Sequence, residues 1–441
     1  MRHAFAFKLR LCSADRCTSR TPIQNLQVRI EQNIAPEKPL PPWRPMIRIL
    51  FVDDEVRILE GVRRSMHCMR GEWQMRFECS AALALKALAT ESADVVVSDM
   101  RMPGMEGSQL LSEVKRLYPQ AVRIILSGQS EPDSVVRATR TAHQYLSKPC
   151  EAQTLKSAIS RTTDLRAILS SDKLLAIVGN VDALPTAPQI YHKLLECLRD
   201  PLATIDSLAE IIRQDVAMTA KVVMLANSGF FGIREPVQTL ERAVSFVGME
   251  AISTLVLGQE LFANTGSITL PGFDLERLSR HSFETGAWAR AIALHESLGR
   301  TLADTAFLAG VLHDVGQLVI ATRPVPAPGQ DAPAGSTETI ALMTIQSASV
   351  GAYLLGLWGF PDPIVEAIVW QHTPSKCHDT ALGLCGLLHI GNALALERER
   401  PTDGLYPMVE PGYLEALGLA DRWSDWRATR PAPDPGRPSV N

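Results

Sequence analysis

The sequence predicts two folded domains in series: an α/β domain on a doubly wound parallel sheet, then an all-α domain. Three observations carry this. From Met46 to Pro149 short β-rich apolar runs alternate with helical stretches, the pattern of a parallel sheet with crossover helices. From Leu184 to about Leu419 helix follows helix, with few clusters of Val, Ile and Thr. Between them a helical pattern runs from Glu151 to about Val178 and joins the two. With 441 residues, 46% hydrophobic and 21% charged, the chain has the length for several domains and the composition of a globular protein.

Residues 1–45 have no periodicity and end in the Pro-rich run Pro39-Leu-Pro-Pro-Trp-Arg-Pro45. They are expected to be a disordered arm, or a stretch upstream of a true start at Met46. Ile47–Val52 is an apolar strand ending in Asp53-Asp54, and Leu59–Met66 and Ala81–Leu88 have helical spacing. Asp94–Ser98 is a second strand, closing at Asp99, and Leu110–Leu117 is helical. Ala121–Leu126 is a third strand, Asp133–Thr141 a helix, and Gln144–Leu146 a short strand before Lys148-Pro149. In the all-α half, breakers stand at Pro185, Pro188, Gly229, Gly232, Gly248, Pro271, Gly272 and Pro361, and Arg323–Ser336 is a Pro/Gly/Ala-rich loop. The chain then divides into residues 1–45, a first domain over 46–165, a helical connector over 166–180, an all-α domain over 181–420 and a mostly disordered tail over 421–441.

Composition excludes several classes. The net charge is −4, from 44 basic and 48 acidic side chains, so there is no general attraction to nucleic acid or to an anionic membrane. The nearest candidate for a membrane span, Ala306–Ala321, is interrupted by His313, Asp314 and Gln317. The eight cysteines are scattered without a Cys-x-x-Cys pair, so free thiols in a reducing cytoplasm are expected. No signal peptide is evident in the first 45 residues.

In a doubly wound sheet ligands bind at the carboxyl ends of the strands. Four such ends here deliver Asp53-Asp54, Asp99, Ser127 and Lys148. Any one of these alone is an ordinary turn former, cap or helix start; together they form a constellation. Three clustered carboxylates repel one another and call for a cation, and an oxygen-rich site open to water and phosphate suits Mg²⁺. One carboxylate could then attack phosphorus to give an acyl phosphate, with Lys148 and Ser127 contacting the phosphoryl oxygens.

This segment closely resembles the receiver domain of bacterial response regulators over about residues 46–165. The resemblance rests on Ile49-Leu-Phe-Val-Asp-Asp-Glu55, Val97-Ser-Asp-Met-Arg-Met-Pro-Gly-Met-Glu-Gly107, Ile124-Ile-Leu-Ser-Gly128 and Tyr145-Leu-Ser-Lys-Pro149. It implies a five-stranded flavodoxin-like sheet, with Asp99 as phosphoacceptor. Mg²⁺ would be bound by Asp53, Asp54, Asp99 and the backbone carbonyl of Arg101. Lys148 would contact the phosphoryl group, and Ser127 and Tyr145 would be the switch hydroxyl and switch aromatic. A sensor histidine kinase would be the phosphoryl donor.

The helical half carries Leu312-His-Asp-Val-Gly316, whose His313 and Asp314 can reach one metal only with ligands from other helices. His281, His372, His378 and His389 are the candidates, against the plainer reading of a buried His–Asp pair. The region resembles the HDOD domain, a relative of the HD phosphohydrolases, over about residues 180–400. The resemblance is carried by Leu184-Pro-Thr-Ala-Pro188, Ile212-Arg-Gln-Asp215, Leu225-Ala-Asn-Ser228, Ala243-Val-Ser-Phe-Val-Gly248 and Leu308-Ala-Gly-Val-Leu-His-Asp-Val-Gly316. It continues through Val350-Gly-Ala-Tyr-Leu-Leu-Gly-Leu-Trp-Gly-Phe-Pro361, Trp370-Gln-His372 and His389-Ile-Gly-Asn392.

Against the catalytic HD pattern, His281, His313 and Asp314 fall where ligands are expected. Asn392 replaces the closing aspartate, Ser347 stands where related domains often carry His, and Gln371 replaces the first member of a His pair that leaves His372. Gln317 stands in place of a Lys, and no Gly-Tyr-Pro signature occurs. Too little negative charge and too few donors remain for a two-metal hydrolytic site. The expectation is therefore a degenerate site with no cofactor, in a binding and signalling domain. Ser207–Asn227 has helix-turn-helix spacing, but its second helix, Ala217–Asn227, has Lys221 as its one basic residue and an apolar face, unlike a reader of the major groove. The sequence is thus read as a cytoplasmic response regulator, not an enzyme, whose output partner is a protein and whose receiver could dimerise through the Asp133–Ala158 face. A metal-dependent phosphohydrolase acting on a cyclic dinucleotide is the alternative, and a DNA-binding regulator the weaker third.

Overall fold

The computed structural model describes residues 46–128, 141–166, 169, 172–181, 184–228, 235–257, 262–263, 268–270, 273–322, 337–377, 379, 381–399, 409–410 and 412–429. The expected arm over 1–45, nearly all of the Asp133–Thr141 helix, the Arg323–Ser336 loop, His378 and the end of the tail lie outside them.

The first domain is the expected five-stranded parallel sheet. Strands β1 (Ile47–Val52), β2 (Trp73–Glu78), β3 (Val95–Asp99), β4 (Val122–Ser127) and β5 (Gln144–Ser147) lie in the order β2-β1-β3-β4-β5. Alternate residues of the central strands face two separate cores. Leu50, Val52, Val96 and Ile125 pack on one side, and Ile49, Phe51, Val95, Val97 and Ile124 on the other, which is why these runs are apolar at nearly every position. Helices α1 (Val56–Ser65), α2 (Ala81–Thr90), α3 (Gly107–Leu117) and α4 (Ala152–Arg166) belong to this layer. Strand β2 is not among the apolar runs read from the sequence. It is an edge strand in which Trp73, Met75 and Phe77 alternate with Gln74, Arg76 and Glu78, and Phe77 stacks on Phe51 at 5.2 Å.

Glu151 to Val178 is not one helix. α4 ends at Arg166, Leu169 is buried and non-helical, and α5 (Asp172–Gly179) starts anew.

The second domain opens on a two-residue parallel bridge, β6 (Leu184–Pro185) with β7 (Phe262–Ala263), a small departure from an all-helical region. It then runs through α6 (Pro188–Arg199), α7 (Ile205–Ile212), α8 (Val216–Ala226), α9 (Leu240–Val247) and α10 (Met249–Leu257). It continues with α11 (Leu275–His295), α12 (Arg300–Leu312), α13 (Val315–Thr322), α14 (Thr337–Leu357), α15 (Asp362–Val369), α16 (Leu384–Glu399), α17 (Tyr413–Ala416) and α18 (Trp423–Ala428). Thr204, Asp215, Thr239 and Asp274 cap the helices that follow them by accepting a backbone N–H. Every residue of α8 is buried, Lys221 included, so the helix in the recognition position offers no exposed face to a DNA groove. Arg300–Thr322 is long and apolar enough by composition to cross a membrane, despite His313, Asp314 and Gln317. Most of it is buried inside the helical domain, the setting of a core helix.

The described residues from Met46 to Thr429 belong to one compact unit, and the hydrophobic cluster on one face of the sheet continues through Leu155, Ile159, Leu165 and Val178 into the helical domain. Three arginines add polar ties. Arg161 on α4 bonds the Phe360 carbonyl and pairs with Asp362 at 2.7 Å, and Arg166 pairs with Asp94 at 3.1 Å. Arg123 on β4 bonds the Gly179 carbonyl at the end of α5.

The boundary at residue 420 is set too early. Trp426 on α18 is fully buried and donates from Nε1 to Glu296 at 2.7 Å, and Arg422 donates to the same oxygen at 2.7 Å. Trp426→Ala is therefore expected to destabilise the protein by about 3–5 kcal/mol through lost packing and an exposed acceptor; urea unfolding of the full chain measures it.

Candidate functional site

Because β1, β3, β4 and β5 are parallel, their last residues share one edge of the sheet. Asp53 follows β1, Asp99 ends β3, Ser127 ends β4 and Lys148 follows β5. Asp53, Asp99 and Ser127 are buried, whereas Asp54 is exposed at the rim. Lys148 Nζ lies 2.7 Å from Asp53 Oδ2 and also pairs with Asp99 Oδ1. The second oxygen of each carboxylate accepts a backbone N–H: Asp53 Oδ1 from Glu55 at 2.9 Å and Asp99 Oδ2 from Arg101 at 2.8 Å. The Lys148–Pro149 peptide is cis.

Burial pushes the Asp99 carboxyl up, and Asp53 adds to this, while Lys148 and the Arg101 N–H oppose it; the net direction is upward. Burial works against the Lys148 ammonium, but the two carboxylates outweigh it and raise its pKa. The donors Asp53, Asp54, Asp99 and the Arg101 carbonyl are all oxygen, as a hard divalent cation requires, and Asp53 and Asp99 already converge on one cationic atom. This donor set fits Mg²⁺.

Ser127 Oγ donates to the Gly128 carbonyl at 3.0 Å. Tyr145 pairs with Ile125 across β4–β5 and is buried in the core with Val96 and Leu110. One contributor closes the Val97–Gly107 motif but carries no role in the sequence reading. Gly107 bonds the Met100 carbonyl at 2.9 Å, and a Cβ there would overlap the Asp99 carbonyl, so only glycine lets α3 start this close to the site.

The helical half brings together most of its expected residues. His281 comes from α11, His313 and Asp314 from the junction of α12 and α13, His372 from beyond α15 and Asn392 from α16. Ligand atoms of His281, His313 and Asp314 lie within 4.8 Å of one another. His313 Nε2 is 3.2 Å from Asp314 Oδ2, its Nδ1 donates to the Gly310 carbonyl at 2.7 Å, and Gln371 donates to the His313 carbonyl at 3.1 Å. His389 stands apart, with Nδ1 donating to the Gln371 carbonyl at 2.7 Å and Nε2 accepting the Glu410 N–H at 2.8 Å. Both its nitrogens are used in holding backbone.

Glu399 is the residue the sequence reading missed. Two turns beyond Asn392 on α16, it lies 3.1 Å from His281 Nδ1, while Asn392 Oδ1 lies 3.2 Å from His281 Nε2. Burial opposes the His281 cation, but Glu399 and Asp314 outweigh it and raise its pKa. Both of its ring nitrogens face acceptor oxygens, Nδ1 the Glu399 carboxylate and Nε2 the Asn392 amide. Burial pushes His372 down to about 4, which Asp314 only partly opposes. Burial would lift Asp314, but the surrounding imidazoles hold it below the usual carboxylate range.

Two family models match the chain: "Response regulator receiver domain" over residues 49–160 and "HDOD domain" over residues 184–374. The hydrogenase transcriptional regulatory protein HoxA of Cupriavidus necator is 24% identical over 41% of this chain and 39% of its own. The DNA-binding transcriptional regulator NtrC of Escherichia coli is 37% identical over 26% of this chain and 24% of its own. The chain thus spans from about a quarter to two-fifths of these curated relatives. Among solved structures, the MmoQ response regulator of Methylococcus capsulatus covers 56% of this chain and 98% of its own at 24% identity, with a TM-score of 0.45.

Lys148→Met would leave Asp53 and Asp99 facing one another without a cation. A carboxyl raised in the folded state binds its proton more tightly than in the unfolded chain, so its contribution to stability falls as pH rises through the carboxylate range. The variant is expected to lose about 1–3 kcal/mol near neutral pH, and the deficit should shrink as the medium is made acidic. Urea unfolding of both proteins across that range reads it.

Proposed function

We propose that this chain, a response regulator receiver domain joined to an HDOD domain, is a phosphorelay response regulator. A sensor histidine kinase transfers a phosphoryl group to Asp99, and the receiver controls the helical domain as a non-catalytic signalling module that binds a protein partner in the cytoplasm. The observation that carries this is the single ammonium of Lys148 shared by Asp53 and Asp99 at the carboxyl edge of the sheet. A carboxylate oxygen of Asp99 attacks phosphorus, forming an acyl phosphate as the phosphorus–nitrogen bond to the kinase histidine breaks. Asp53, Asp54, Asp99 and the Arg101 carbonyl would hold Mg²⁺, which supplies positive charge against the phosphoryl oxygens. Lys148 contacts one of those oxygens. Ser127 turns its hydroxyl from the Gly128 carbonyl to the new group, and Tyr145 fills the space this leaves. Homodimerisation through the Asp133–Ala158 face belongs to the same proposal.

The full chain incubated with acetyl phosphate and Mg²⁺ is expected to gain one phosphoryl group by mass, and Asp99→Asn none. Equal gains in the two proteins would sink the assignment.

A metal-dependent phosphohydrolase has one observation in its favour, the close approach of His281, His313 and Asp314. The amide of Asn392 and the Glu399–His281 pair weigh against it, because they occupy both nitrogens of the first imidazole. Metal content decides. The full chain, produced in medium rich in Mn, Fe and Zn, is expected to carry no stoichiometric metal in the helical domain, and His313→Ala should not change its content. Stoichiometric metal that His313→Ala removes would establish the hydrolase reading instead.

A further inference from the structure

Arg123 begins the face of β4 that Ser127 ends. Side chains alternate along a strand, so Arg123, Ile125 and Ser127 share one face of β4, Tyr145 and Ser147 share the matching face of β5, and His143, just before β5, is bonded to Arg123 through the backbone. The two residues proposed as the switch, Ser127 and Tyr145, therefore sit in the row that Arg123 begins and the row that His143 precedes, at the opposite end of the sheet.

That end is attached to the connector. The guanidinium of Arg123 is buried and is held by carbonyls. Nε donates to Thr141 at 2.6 Å, Nη1 to Ala121 at 3.1 Å and Nη2 to Gly179 at 2.6 Å. The Arg123 backbone N–H donates to His143 Nδ1 at 3.1 Å, so the ring proton is on Nε2, which lies 2.9 Å from Nη2. Burial first, and then the neighbouring guanidinium, hold the His143 pKa well below the usual histidine value.

Gly179 is the last residue of α5, so its carbonyl is at the negative end of that helix. A Cβ on Gly179 would overlap the Pro119 carbonyl in the turn before β4. On the helical side, Tyr353 of α14 is buried within electrostatic reach of Arg123 and Arg166.

We propose that Arg123, seated by His143, is the latch that couples the switch rows of β4 and β5 to the end of α5 and so to the helical domain. If the connector moved without β4, a buried guanidinium N–H would lose its acceptor, and if β4 moved without the connector the same bond would break. The two elements therefore move together, and the coupling acts equally in both directions. A lysine cannot substitute, because one ammonium on a flexible stem does not present the fork of donors that reaches Thr141, Ala121 and Gly179 at once.

This latch rests on the response-regulator reading, and its test separates the two. Hydrogen exchange of α5 and α14 would be followed in the full chain with and without acetyl phosphate and Mg²⁺, with phosphorylation read by mass on the same samples. In the wild type, phosphorylation is expected to change exchange in α5 by about fivefold or more, the scale of an ordinary coupling energy. Arg123→Lys should be phosphorylated as well as the wild type and lose that response. Arg123→Met, of similar length but without the guanidinium and its bond to Gly179, should lose it too, and this keeps the test open if Arg123→Lys does not fold. A phosphorylated variant with the full wild-type response overturns the latch, as does a phosphorylated wild type whose α5 does not respond. A wild type that takes up no phosphoryl group overturns the response-regulator reading itself and the latch with it.

Discussion

Two buried carboxylates sharing one ammonium constrain the first domain. Asp53 and Asp99 can be this close only because Lys148 neutralises part of their repulsion. Lys148 can reach both only because β5 runs parallel to β1 and β3 and ends at the same edge. The order β2-β1-β3-β4-β5 places β1 and β3 side by side, so the two acids come from adjacent strands while the base arrives from the far edge. Gly107 completes the arrangement by letting α3 begin against the Asp99 carbonyl without steric overlap. The result is an acidic, oxygen-rich edge whose repulsion is partly offset by one ammonium.

The helical domain solves a similar electrostatic problem with different chemistry. Asp314 is surrounded by imidazoles, and His281 is clasped between Glu399 and Asn392. Asp314 and His281 thus each have a neighbour of opposite sign or a hydrogen-bond partner. A carboxylate at position 392 would add a negative charge and a metal-ligating oxygen; the amide oxygen there accepts a hydrogen bond from His281 instead.

Between these two sites the chain is not a flexible tether. The hydrophobic cluster on one face of the sheet runs on through Leu155, Ile159, Leu165 and Val178 into the helices. Arg161 ties the sheet domain to the helices, and Arg123 ties it to the connector, with directional bonds. Apolar burial holds the two domains together without specifying direction, whereas a guanidinium fork specifies which carbonyls face it. Such a boundary suits a receiver that acts by shifting an attached domain rather than by releasing it.

Much of this is written in the sequence. Strand ends are local events: an apolar run that stops at Asp53, Asp99 or Ser127 marks where the sheet meets water, and a parallel sheet must gather such ends at one edge. The fold class and most of the first site follow from that alone. Strand β2 was less legible because an edge strand buries one face and reads as alternating rather than apolar. The remainder depended on pairs far apart in the chain. Glu399 meets His281 across 118 residues, Trp426 meets Glu296 across 130, and Arg123 meets Gly179 across 56. A charged or polar side chain carries no local mark of the partner that will neutralise it, since that partner is chosen by how helices and sheet pack. The sequence by itself determined the sheet, its acidic edge and the succession of helices, because these follow from periodicity and from where apolar runs stop. Only the tertiary structure decided which buried charges are paired, that His281 is occupied at both nitrogens, and that Arg123 faces the connector.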